Sequence, residues 1–396
     1  MFRFSKVPGL LLAVTAAIAM AACTPKVTRT GQPTPASPSQ SGGVSSVDPA
    51  KPVVIALLAP SSASNQGAAQ LGRALVNAAR LSVGDANDPL LQLRVYDTAG
   101  DAGTAQRMAQ RAIGDGARLI IGPLFGANTK AIRSTAAAAN VNVISFSTDS
   151  SAAGGPVYLS GFLPEKAAQR ILGFARTRGY NALGVFHPDT PYGRVALKGA
   201  QRVGGANLVS VTGYERSQQG IPPAAQDFAA NARATGAQAL LVAESGQALN
   251  FVVSELSRQG LTGSRVKYLG LGEWNSRSVF ESPELTGAWF PAPDPNAMNG
   301  FVNRYKEVYQ DIPPPLAVLS YDAVQIAAQL LAESRRTRTE PFSARALTRP
   351  SGFRGIVGPV QFGRDGLANR GLAILQIERT RFIVIDNAPS VLGAGS

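Results

Sequence analysis

The chain has 396 residues, 45% of them apolar and 16% charged, and 38 Lys and Arg against 25 Asp and Glu give it a formal charge of +13. That length and apolar content exclude a chain disordered throughout and suit a large core in about two domains. A single cysteine and a single histidine exclude a disulfide framework and His-based metal clusters, and Lys and Arg dispersed without interleaved aromatics argue against nucleic acid as a partner.

At the N-terminus, Arg3 and Lys6 precede an apolar run over 10–22 that is too short to span a bilayer, and small residues lead into Cys23. The stretch Met20-Ala-Ala-Cys23 resembles a bacterial lipobox. That resemblance implies a signal peptide over 1–22 and a mature chain that begins with acylated Cys23. Removal of 1–22 takes away Arg3 and Lys6 and no acid, lowering the formal charge to +11. A surface that basic suits anionic lipid, anionic glycan or an acidic partner. Thr24 stands where the inner-membrane retention signal would place Asp, which by the same resemblance favours the periplasmic face of the outer membrane. Residues 23–51 are rich in Pro, Ser, Thr, Gly and Gln and read as a disordered tether with a typical span of about 30 Å.

Beyond the tether, short apolar runs alternate with amphipathic stretches. Strands are expected at 53–58, 91–97, 118–121 and 141–146, with helices at 69–81, 104–113 and 129–139 between them. A second cycle places helices at 165–177, 192–203, 224–235 and 248–259, and strands at 182–186, 208–211, 239–242 and 266–270. Two longer helices follow at 295–310 and 316–333, then short runs at 359–362, 373–377 and 381–385 that read as an antiparallel finish. Strict alternation predicts parallel sheets with helices on both faces, an α/β chain of two doubly wound lobes.

The segments Val53-Val-Ile-Ala-Leu-Leu-Ala-Pro60, Val95-Tyr-Asp97, Ile121-Gly-Pro-Leu124, Ile144-Ser-Phe-Ser147 and Thr190-Pro-Tyr-Gly193, in that order, resemble the type I periplasmic binding proteins, the class that binds branched-chain amino acids. The resemblance covers about 53–386 and implies two Rossmann-like lobes joined by three crossovers. It places one lobe at 52–160 plus 288–345 and the other at 161–287 plus 346–396. Within the class, the lipobox, the tether, Gly122-Pro-Leu-Phe125, Tyr158-Leu-Ser-Gly-Phe-Leu-Pro164 and Gly352-Phe-Arg-Gly355 are most similar to the penicillin-binding-protein activator lipoproteins, the LppC-like group.

In doubly wound sheets, ligands lie beyond the carboxyl ends of the strands, beside helix N-termini. The polar loops at those places supply the candidate cleft residues Asn65, Gln66, Gly126, Asn128, Ser147, Thr148, Asp149, Tyr192, Glu244, Ser245, Glu273 and Trp274. Asn128 or Thr129, and Thr190 followed by Pro191, also read as helix caps. By the resemblance, Tyr192 matches the cleft tyrosine of the amino acid receptors, and Ser147 with Asp149 falls where they hold the ligand's ammonium and carboxylate. Gly126 replaces the serine that binds the carboxylate there, and Asp149 adds a negative charge, so a cationic, amide or sugar ligand, or none, suits the site better than a standard amino acid.

Enzyme patterns are missing from the sequence. There is no Gly-x-Ser-x-Gly elbow, 122–130 lacks the Gly-Lys-Ser/Thr ending of a phosphate loop, Gly270-Leu-Gly272 lacks a third glycine, and His187 reads as a solvated histidine ending a strand. No catalytic residue, metal or cofactor is expected. The leading expectation is a non-catalytic, lipid-anchored envelope protein that, by resemblance, activates a peptidoglycan synthase; the alternative is a receptor for a small polar solute that feeds an ABC permease.

Overall fold

The computed structural model describes Asp48 and residues 51–392. Cys23, the signal peptide and nearly all of the tether lie outside the described residues.

The first lobe begins with β1 (Val53–Ala59), α1 (Gln66–Ala86), β2 (Leu91–Asp97), α2 (Ala102–Gly114), β3 (Ala117–Ile121), α3 (Gly126–Ala138), β4 (Asn142–Ser145) and β5 (Val157–Leu159). Its five strands are all parallel, in the order β2-β1-β3-β4-β5. A parallel sheet is covered on both faces, so β1 is apolar throughout. Alternate side chains serve the two faces: Ile55 and Leu57 pack in one core cluster with Leu75 of α1, and Ala56 and Leu58 in another with Ala105 of α2 and Ile132 of α3.

The second lobe continues with α4 (Pro164–Thr177), β6 (Leu183–Pro188), α5 (Pro191–Gly204), β7 (Leu208–Tyr214), α6 (Ile221–Ala234), β8 (Ala239–Val242), α7 (Gly246–Arg258), β9 (Lys267–Leu269) and β10 (Trp289–Ala292). The chain then returns through α8 (Pro295–Tyr309), α9 (Val318–Thr337), α10 (Ala344–Leu347), β11 (Phe353–Gly355), β12 (Gly358–Phe362) and β13 (Ala368–Arg370), and ends in β14 (Ala373–Ile377) and β15 (Phe382–Asp386). The larger sheet runs β15-β14-β10-β9-β8-β6-β7, with β14 antiparallel to both β10 and β15. A three-stranded antiparallel sheet, β11-β12-β13, stands apart from it.

Two boundaries differ from the expectation. Residues 288–292 belong to the second lobe, because β10 is hydrogen-bonded between β9 and β14. Residues 346–370 belong to the first, because Leu347, Phe353, Val360, Phe362 and Ala368 share a core cluster with β1 and α9. The three crossovers therefore fall at about 160–163, 293–294 and 371–372. The expected antiparallel finish is divided accordingly: β12 goes with the first lobe, and β14 with β15 extends the second sheet. The helical stretch Pro315–Thr337 is long and apolar enough to cross a membrane, but 67% of its apolar window is buried against the first sheet's core, as in a core helix.

One buried cation ties the first-lobe ends of the first and third crossovers. Arg370, 4% exposed in its side chain, donates to Asp322 Oδ2 at 2.9 Å, to the Ser160 carbonyl at 2.8 Å and to Ser160 Oγ at 3.2 Å. Its guanidinium also lies 5.3 Å from the Phe162 ring centre. The other oxygen of Asp322 accepts the Ile356 N–H at 2.8 Å, so both charges are engaged without solvent.

Candidate functional site

A cavity of about 440 Å³ lies between the lobes, beyond the carboxyl ends of both sheets. From the first lobe, Leu124 and Phe125 after β3, and Phe146 and Thr148 after β4, form one wall. Gly272, Glu273 and Asn275 after β9, with Pro291 and Ala292 of β10, form the other. All three crossovers reach it through Phe162, Pro293 and Leu372, and Met298 and Leu316 complete the apolar surround. A larger, more open depression of about 540 Å³, bordered by Arg178, Arg233 and Arg265, lies at the amino ends of the second sheet's strands and is not part of the cleft.

Of the candidate residues, Thr148 and Glu273 line this cavity. Glu273 stands in the short 3-10 turn Gly272–Trp274 and accepts a hydrogen bond from the Tyr192 hydroxyl, which comes from the first turn of α5. Glu273 is exposed toward the cleft. Partial desolvation by the protein beside it pushes its carboxyl above the usual carboxylate range, and the Tyr192 hydroxyl opposes only part of the rise. Tyr192 in turn is driven well above an ordinary phenol by enclosure and by the facing Glu273.

Glu244 has a different part. It is 3% exposed and fully engaged: Arg216 grips it in a bidentate pair at 2.9–3.2 Å, the Tyr214 hydroxyl donates at 3.0 Å and the Ser245 N–H at 3.0 Å. The pairing with Glu244 raises Arg216, and burial together with Glu244 raises Tyr214. Trp274 is a core residue, fully buried, donating from Nε1 to the Glu244 carbonyl at 2.9 Å and lying against Gly270, where a Cβ would fall 1.9 Å from the indole. Ser245 occupies the N-cap position of α7 without a side-chain cap bond.

On the opposite rim, Gly126 opens α3, whose N-cap residue, Phe125, supplies no side-chain acceptor. Asp149 fills the space beside it: a Cβ on Gly126 would come within 2.8 Å of Asp149 Cβ and Oδ2. Lys130, one turn along α3, pairs with Asp149 at 2.8 Å. Burial works to raise Asp149, but the bonds from Lys130 and Ser151 prevail and hold it below the ordinary range. Ser147 is 3% exposed and scaffolds this loop, taking the Asp149 N–H on its hydroxyl at 3.0 Å while its own N–H goes to Ser145.

Several expectations are corrected. Asn65 caps α1 at 2.9 Å from the Ala68 N–H, with Gln66 exposed beside it, and neither lines the cavity. Asn128 and Thr129 are not caps, because α3 already begins at Gly126. Asn128 is buried, and its Nδ2 has no partner among the described residues; Thr129 bonds back to the Phe125 carbonyl and to Ser145. Thr190 does cap α5, with Pro191 in the first turn. His187 is buried in β6 with Nδ1 3.0 Å from the Pro188 carbonyl, not a solvated loop residue. Sequence reasoning missed the apolar wall, whose signal was position: Phe125, Phe146 and Pro293 each follow a strand of the two sheets.

A sequence profile described as periplasmic binding protein matches residues 52–381. The chain belongs to the periplasmic binding protein family. Membership implies a periplasmic location and a solute-binding rather than an enzymatic type. Among solved structures, a putative branched-chain amino acid ABC transporter protein from Rhodospirillum rubrum superposes with a TM-score of 0.73 at 17% identity, covering 84% of this chain and 100% of its own. A leucine-binding protein from Thermotoga maritima gives 0.59 at 18% identity, covering 85% and 98%. A solute-binding protein of an ABC transporter from Rhodopseudomonas palustris, in complex with 3,4-dihydroxybenzoic acid, gives 0.60 at 18%, covering 87% and 99%. At these identities the likeness establishes the fold: the two-lobed type I architecture. No curated protein matches the sequence significantly. The narrower resemblance to the penicillin-binding-protein activators gains no support from these neighbours.

Proposed function

We propose that this protein is a non-catalytic periplasmic solute receptor that encloses one small organic molecule between its lobes and presents it to an ABC permease. The observation that carries this reading is the inter-lobe cavity of about 440 Å³, walled by strand ends of both sheets and by all three crossovers. That volume falls in the range of roughly 300–1,000 Å³ usual for small-molecule sites. The solved neighbours named as ABC transporter proteins favour the receptor, the alternative from the sequence, over the envelope regulator that was the leading expectation, which no contact or cavity described above calls for. Cys23 is the proposed acylation site that holds the receptor at a membrane, by the sequence pattern around it.

The test is a thermal-shift panel of amino acids, their amides, amines, aromatic acids and small sugars. A solute at a hundredfold excess over its Kd adds about 2.7 kcal/mol of stability and raises Tm. A flat response across the whole panel overturns the receptor reading. Mass spectrometry of mature protein should find Cys23 acylated, and Cys23→Ala should lose membrane retention.

A further inference from the structure

At the amino ends of the second sheet's strands, away from the cleft, the chain gathers positive charge that no acid beside it answers. We propose that the depression of about 540 Å³ there is a second binding site, which takes a phosphate or phosphomonoester dianion on Arg178, Arg233 and Arg265. The site is separate from the cleft and does not rest on the receptor reading.

The depression lies where three helices end. The turns that follow α4, α6 and α7 each contain a left-handed glycine, Gly179, Gly236 or Gly260, and the same pair of bonds closes each end. The glycine N–H returns to the carbonyl of Arg176, Arg233 or Ser257 at 2.9–3.2 Å. The next N–H, from Tyr180, Ala237 or Leu261, returns to the carbonyl of Ala175, Ala232 or Leu256 at 2.8–3.1 Å. These turns put no side chain over the floor. At Gly179 and Gly236, no described atom outside the adjacent chain lies within 4 Å of where a Cβ would stand.

Helix C-termini attract cations, which accounts for arginines gathering here. It does not use up their N–H groups, because the glycine turns already engage carbonyls of each last turn. Among the described residues, none of the three arginines forms an ion pair, and no acid lines the depression. Glu255, on α7, is held by Arg258. Arg233 gives one bond, to the Gln259 carbonyl; Arg178 lies 4.9 Å from the Phe174 ring centre; Arg265 makes no hydrogen bond to the described residues. Most of their donors therefore face solvent.

Two of the three converge. Beside Gly260, the point where a Cβ would stand is 3.6 Å from Arg265 Nη1 and 3.8 Å from Arg233 Nη1, so one oxyanion placed between them meets both. Arg178 borders the same depression. A guanidinium presents its donors as a planar fork, and three forks around a tetrahedral dianion supply its several oxygens, whereas a carboxylate offers two oxygens in one plane. All three arginines are exposed, so the affinity should fall as salt rises.

The experiment is calorimetric titration of the mature protein at fixed ionic strength with inorganic phosphate and glycerol 3-phosphate, against acetate. One equivalent of phosphate should bind about tenfold tighter than acetate. Arg265→Gln breaks no bond within the protein and should weaken phosphate about fivefold or more with an unchanged Tm, and Arg178→Gln should act in the same direction. Arg345→Gln removes the same charge from an exposed position on α10 of the first lobe and should leave phosphate binding unaltered. Flotation with phosphatidylcholine vesicles, with and without phosphatidic acid, separates the sources of the phosphate; the mature chain carries Cys23→Ala there, so that acylation does not itself bring it to the vesicle. Association that requires phosphatidic acid and falls in Arg265→Gln assigns a lipid headgroup, and binding of the soluble phosphates alone assigns a free phosphate. No binding in either arm, equal affinity for acetate, an unaltered affinity in Arg265→Gln, or the same loss in Arg345→Gln as in Arg265→Gln overturns the proposal, and each of these outcomes leaves the receptor reading intact.

Discussion

The crossovers and the cleft rim spend their charges in opposite ways. At the crossovers, Arg370 and Asp322 are almost completely buried, and their bonds tie three segments distant in sequence: Ser160, Asp322 with Ile356, and Arg370 itself. On the rim, Lys130 and Asp149 remain 48% and 40% exposed in their side chains, and among the described residues no Lys or Arg forms an ion pair with Glu273, whose carboxylate accepts from Tyr192. A buried charge is tolerable only when each of its bonds is supplied internally, which fixes geometry. A charge facing a water-filled cleft can be left incomplete, which leaves it for a ligand. The first arrangement fixes the edge of the first lobe from which two crossovers leave, and the second leaves the rim exposed to the cleft.

Breaking the crossover pair should give the largest effect. Arg370→Met leaves Asp322 buried without its cation and should cost about 3–5 kcal/mol, read by urea denaturation. A loss under about 1 kcal/mol would show that the pair is not what fixes the crossovers. A smaller effect is expected where α3 meets Asp149. Gly126→Ser places a Cβ within 2.8 Å of Asp149 and should cost about 1–3 kcal/mol. Much of that loss should disappear in the Gly126→Ser, Asp149→Ala double variant, and simple additivity would show that the two positions are not coupled. The smallest effect belongs to Lys130→Met. The exposed pair with Asp149 should contribute less than about 1 kcal/mol, and less still in high salt.

The lobes were legible in the sequence because parallel strands buried on both faces run apolar without interruption: the strand expected at 53–58 is β1, Val53–Ala59. The later crossovers were not legible. Trp289–Ala292 carries Pro291, which argues against a strand, yet β9 pairs only with Trp289, so the proline lies past that ladder. Three-residue strands such as β5 and β13 are too short to show a period. The site was half legible for a related reason. Polar loop residues mark the correct ends of the sheets, but Asn65, Ser147 and Glu244 use their polarity to hold loops and helix ends. The surface that lines the cavity is made of Phe146, Phe162 and Leu372, which in a sequence cannot be told from core.

Phe162, Pro293 and Leu372 belong both to the three chain connections and to the cavity wall. In the proposed receptor, a solute filling the cavity would press on the same segments that connect the two sheets. Filling and tilt would then become a single coordinate, and a permease gripping one patch on each lobe would gauge loading from the spacing between them, without touching the molecule inside.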